Sequence, residues 1–122
     1  MRRLNKEEML DALAEVALSQ EFDDYEDYSK EDMVTELDGE VTSWFVEEIS
    51  GSTENFRITS EERGGEGDGA DMFIVFKIVS LKEEAEGYLE FSGRYSSWDS
   101  SEYYECYPVE PRQVTVTEYF AI

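Results

Sequence analysis

Histidine is absent from this 122-residue chain, and cysteine occurs once. Without histidine there is no side chain that ordinarily titrates near neutrality, no His-dependent triad and no imidazole metal ligand. The lone Cys106 permits no intrachain disulfide and suits a reducing compartment. Its neighbours Glu105 and Glu110 would disfavour a thiolate, so inert packing is its expected role. Cations are scarce as well: 10 Lys and Arg face 31 Asp and Glu, for a formal charge of −21. Phosphate contacts need clustered cations, so the composition speaks against direct nucleic-acid binding. No apolar run approaches the ~20 residues of a membrane-spanning helix. Met1-Arg2-Arg3 is a basic start, but Glu7, Glu8 and Asp11 interrupt the apolar region a signal peptide would need. A cytoplasmic, non-membrane protein is expected.

What is present begins with Asp71–Ser80, DMFIVFKIVS, the most apolar run in the chain. Met72, Ile74, Phe76 and Ile78 fall on one side of a period-2 strand, with Phe73, Val75 and Val79 on the other and Lys77 the exception. A strand apolar on both faces calls for cover on both, so a central place in a sheet is expected. Upstream, Asn5 with Glu8 three residues on forms a capping box, and Leu10, Leu13, Ala14, Ala17 and Leu18 recur at helical spacing. This predicts a helix over about 6–19. Ser29 with Asp32 repeats the capping signature. Met33, Leu37, Val41, Trp44, Phe45 and Ile49 continue a helical stripe, broken by Asp38-Gly39, so one kinked helix over 30–50 or two short ones are expected. Gly51 is a plausible stop.

From Asn55 the period becomes two. Phe56 and Ile58, then the central run, then Leu89, Phe91 and Tyr95, and finally Val114–Tyr119 with Val114 and Val116 inward, read as four strands, with Tyr103–Tyr107 a candidate for a further short one. The expected fold is α+β in one domain over 1–122: two N-terminal helices within 5–50, then a four-stranded antiparallel meander within 55–120.

Residues 21–40 hold ten acids and one base, Lys30. A surface whose carboxylates stand where phosphates stand on a nucleic acid would look like this, since a duplex carries one charge per ~1.7 Å of axis. The alternative is a solvated, solubilising helix face. Phe22, Tyr25 and Tyr28 are interleaved at spacing three, and the tyrosines would offer amphipathic contacts and arginine stacking to a partner. The expected partner-binding residues are Asp23, Asp24, Glu26, Asp27, Glu31, Asp32 and Glu36, with Trp98 and Asp99 as a second patch. The glycine-rich run 64–69 matches neither phosphate-loop spacing. Glu66, Asp68 and Asp71 offer at most a weak cation site. With 31 acids, any carboxylate pair is uninformative about glycosidase chemistry. No catalytic residue, metal or cofactor is expected, and the chain is read as a non-enzyme.

Three stretches, GGEGDGADMFIVFKI, YLEFSGRYSSWDSSEYYE and YPVEPRQVTVTEYF, resemble a group of small acidic proteins of tailed bacteriophages. In that group a Gly/Glu-rich turn precedes a VFK strand, a GYYSSYDG-like loop follows and a VEPVEKTVTV-like strand ends the chain. Here Ser100 stands where the group often has glycine. The resemblance spans about residues 60–120 and implies no catalytic residues. It implies a phage origin and residence in the host bacterial cell, where small acidic proteins often inhibit defence. The resulting expectation is an acidic inhibitor of anti-CRISPR or anti-restriction type. It would bind the basic nucleic-acid groove of a host nuclease or nucleoprotein complex by charge mimicry. The alternative is a phage accessory or assembly protein that binds another phage protein through its sheet or aromatic loop.

Overall fold

Asn5 starts the first helix as its spacing predicts. Its side chain accepts from the Glu8 N–H at 2.8 Å, and the Glu8 carboxylate accepts from the Asn5 N–H at 3.1 Å. Two orphan donors of the first turn are thereby satisfied. The computed structural model describes residues 1–65, 71–95, 101–112 and 117–122. Among them the order is β1 (Arg2–Arg3), α1 (Lys6–Ser19), a 3₁₀ turn (Asp23–Tyr25), α2 (Lys30–Leu37), β2 (Val41–Thr42), α3 (Ser43–Glu48), β3 (Gly51–Ser52), β4 (Phe56–Gly64), β5 (Asp71–Ser80), β6 (Ala85–Arg94) and β7 (Glu102–Val109).

The four long strands form the expected antiparallel meander, with β5 between β4 and β6. The expected four-stranded sheet with two helices is nevertheless wrong. Among the described residues three helices stand against a seven-stranded sheet, ordered β2-β7-β6-β5-β4-β3 with β1 beside β6, curled into a half-barrel. The missed strands are two residues each, too short to show any period. They arise because chain ends and turns beside the meander pair their backbone groups with it: Arg2 with Ala85 in parallel, Val41 with Tyr103 and Gly51 with Ile58 antiparallel. The stripe over 30–50 is likewise interrupted by β2, so α2 and α3 are separate helices. Of the expected last strand, Val114 and Val116 lie outside the described residues. Thr117 to Tyr119 carry no strand, and Tyr119 is 93 % exposed.

Alternation in β5 is as read. Met72, Ile74, Phe76 and Ile78 are buried, opposite Gly93, Phe91, Leu89 and Gly87 of β6. Phe76, Phe91 and Tyr103 meet edge-on across three strands, with centroids 5.9 and 6.1 Å apart. Fully burying each such side chain contributes roughly 1.5–3 kcal/mol. α1 packs on β4, β5 and β6 and also on α2. Its buried face is therefore wide, and Ala12, Ala14 and Ala17 keep it slim where two layers approach.

Among the described residues, full burial on both faces of β5 is not found. Phe73, Val75 and Val79 on the outer face are half-buried, shielded by cross-strand neighbours rather than by a helix. The polar outer residues pair among themselves. Lys77 lies 3.7 Å from Glu86 and 5.9 Å from the Tyr88 ring centre; Tyr107 donates to Glu90, and Ser92 to Glu105 at 3.2 Å.

Candidate interaction surfaces

Between α1 and α2 the chain carries its densest charge on a platform of rings. Phe45 of α3 is fully buried, stacked on Tyr25 at 4.1 Å and met edge-on by Phe22 at 4.9 Å. Tyr28 meets Tyr25 edge-on at 4.9 Å. The spacing-three rings therefore face inward, and the expectation that Tyr25 and Tyr28 reach out to a partner is corrected: Tyr25 is 9 % exposed and Tyr28 half-buried. With the rings turned in, the intervening acids must turn out.

Asp23, Asp24, Glu26, Asp27, Glu31 and Asp32 are exposed and Glu36 is half-buried. Among the described residues none of the seven forms an ion pair. Asp32 caps α2, accepting from the Ser29 N–H at 3.2 Å. Lys30, the one base of the segment, turns toward α1, 2.9 Å from Asp11 and 3.4 Å from Glu15. The seven expected residues thus form an acidic ledge in the sense of one stretch of chain, 23–36, in which none of them is buried. Trp98 and Asp99 of the expected second patch lie outside the described residues, as do Glu66 and Asp68. Asp71 is exposed, and among the described residues no group of three acids or thiols is arranged to hold a metal.

Sequence reasoning missed two features. Trp44, read as part of the buried stripe, is 47 % exposed and touches Phe45 edge-on at 6.2 Å. Met33, Leu37, Val41, Phe45 and Ile49 of the same stripe are all buried, so Trp44 stands at its margin. The second feature is a groove of about 460 Å³ lined by Leu18, Glu21, Phe22, Asp23, Tyr25 and Glu26. Glu21 there adopts φ 56°, immediately after the C-cap of α1, where glycine is usual.

Acids also occur on the sheet, but there Glu86, Glu90 and Glu105 have partners from their own face. Cys106 is buried, with its sulfur 3.7 Å from Asp38. Burial pushes the thiol up to about 11, opposed by Lys6 and assisted by Asp38 rather than by Glu105 or Glu110. A thiol held in that form is a poor nucleophile.

No family model, curated protein or solved structure matches the chain. Among the described residues no helix is long and apolar enough to cross a membrane.

Proposed function

We propose that this chain is a non-enzymatic interaction protein that occupies the basic, nucleic-acid-binding surface of a partner by charge mimicry. The observation that carries this reading is the ledge: seven acids on one segment, without ion pairs among the described residues, while the segment's base is drawn away to α1. Complementary fields of this kind speed association and are screened by salt. The resemblance to tailed-phage proteins makes a host nuclease or CRISPR effector the concrete form of that partner.

The test is capture from bacterial lysate on the immobilised chain, in parallel with a variant carrying Asp23→Lys, Asp24→Lys, Glu26→Lys and Asp27→Lys. A nucleic-acid-processing complex that elutes with salt, is displaced by duplex DNA and is lost with the variant is the expected result. Capture that the four reversals leave unchanged at low salt rejects the mechanism.

The outer face of the sheet, half-buried among the described residues, favours a second reading, an accessory protein that binds another phage protein through Phe73, Val75 and Val79. Capture insensitive to the ledge reversals but abolished by Val75→Glu would favour it.

A further inference from the structure

Eight large apolar side chains are exposed among the described residues, and five of them belong to two stretches: Tyr104 and Tyr107 of β7, and Tyr119, Phe120 and Ile122 further along the chain. Scattered singly, such side chains are ordinary; here they gather. Tyr104 is 51 % exposed and Tyr107 38 %, whereas Tyr119, Phe120 and Ile122 stand almost wholly in water. Residues 117–122 form no strand or helix within the copy. Yet Thr117, Tyr119, Phe120 and Ile122 are all strand-forming types, and Glu118 is the only charged side chain among the six.

β7 offers such a segment a place to pair. One of its edges is held along its length by β6. On the other edge β2 pairs only with Glu102 and Tyr103. Residues 104–109 are therefore open on that side: among the described residues no strand and no backbone hydrogen bond reaches them there. An open edge presents donors and acceptors that a second extended chain satisfies. Pro108 withholds one donor, which an edge strand tolerates. The opposite edge of the sheet is guarded. β3 covers only Arg57 and Ile58 of β4, and beyond them Glu61, Glu62 and Arg63 are exposed in succession, a charge pattern that blunts an edge. The open part of β7 carries tyrosines instead. Glu105 is its one charge, and that carboxylate accepts from Ser92 at 3.2 Å.

We propose that residues 117–122 of one copy pair along the open β7 edge, residues 104–109, of a second copy, and that the exchange is reciprocal. Each copy carries both the segment and the edge, so a two-fold arrangement fills both edges at once with the same surface on each side. Main-chain hydrogen bonds along β7 fix the segment, and Tyr119, Phe120 and Ile122 leave water to lie beside Tyr104 and Tyr107. The segment does not lie on its own copy's edge, since its rings are exposed and it forms no strand there. This inference is independent of the charge-mimic reading and has the opposite salt dependence. Two chains of −21 each repel, so salt favours their pairing while it weakens attachment to a basic surface.

The experiment is sedimentation of the full chain over a concentration series at about 20 mM and about 500 mM salt. A monomer–dimer equilibrium is expected, tightening by about threefold or more at the higher salt. Tyr119→Ser with Phe120→Ser and Ile122→Ser changes only groups that are exposed within the copy. The dilute variant should therefore keep the parent's melting temperature, while its dimerisation weakens about tenfold or more, the scale of one ring returned to water. In a sample mixed from isotope-labelled and unlabelled chains, the Phe120 ring should show NOEs to Tyr104 or Tyr107 of the other copy. A chain that stays monomeric at about 1 mM in the higher salt overturns the proposal. So does a dimer that the serine variant leaves unchanged. NOEs from Phe120 to Phe73 or Val75 of the other copy overturn the β7 edge as the seat. Slow amide exchange over residues 104–109 that does not depend on concentration overturns the second copy as occupant, because the segment then closes on its own edge. Each of these failures leaves salt-eluted capture of a partner by the ledge standing.

Discussion

Lys30 reaches across to Asp11 of α1, with its Nζ 2.9 Å from the carboxylate. The contact ties α2 to α1 and at the same time strips the ledge of its only cation. Both groups are substantially solvated, 41 % and 49 % exposed, so the pair is worth a few tenths of a kcal/mol rather than several.

Replacing Lys30 by alanine should therefore lower stability by about 0.5 kcal/mol at low salt. The larger effect should be on salt response. The chain carries −21 and repels itself, so its melting temperature should rise between about 20 mM and about 500 mM salt, more steeply in the variant. Thermal melts at the two salt levels check this; a parent chain insensitive to salt would contradict it.

Gly93 is a position where a side chain has no room. A Cβ there would sit 2.1 Å from the Glu102 carbonyl oxygen and 2.8 Å from the Tyr103 Cα, both backbone atoms that cannot swing aside. The register of β6 on β7 shifts at this point, so the strands approach closely where Tyr103 enters the core. Gly93→Ala should cost about 3 kcal/mol, the upper part of the overpacking range, and lower the melting temperature by roughly 10 °C. A shift of only a degree or two would show that the strands part without penalty.

Two groups contribute pH dependences of opposite sign. The Arg2 guanidinium, and after it the Asn5 N–H, hold Glu8 at about 2 against an ordinary 4.5. A folded pKa below the unfolded one means that this stabilisation is complete above pH 4.5 and is lost as pH falls toward about 2. Cys106 has the opposite sign, because burial raises it to about 11 from 9.0. Its contribution is complete below pH 9 and is lost as pH rises through about 11. Melting temperature should fall in both windows, and Glu8→Gln should flatten the acid fall. Alkylation of native Cys106 near neutral pH should run roughly 100-fold below that of the denatured chain, the ratio of thiolate fractions for a two-unit shift.

Local chemistry was enough for the N-terminal half of α1, because the Asn5–Glu8 box and the heptad-like spacing of Leu10, Leu13 and Ala17 are satisfied within a few residues. The same holds for β5, whose alternation survives intact, and for the acidity of the ledge, which is a property of composition. What the tertiary structure alone decided is of another kind. The two-residue strands exist only because a distant strand supplies their hydrogen-bond partners. Tyr25 turns inward only because Phe45, twenty residues on, is there to stack against it, and that inward turn is what presents the neighbouring carboxylates. Trp44 is exposed while its neighbour Phe45 is fully buried, a choice between adjacent rings that packing makes and periodicity does not. Period and capping act over a turn of helix or a pair of residues; pairing and stacking act between segments that meet only once the chain has closed on itself.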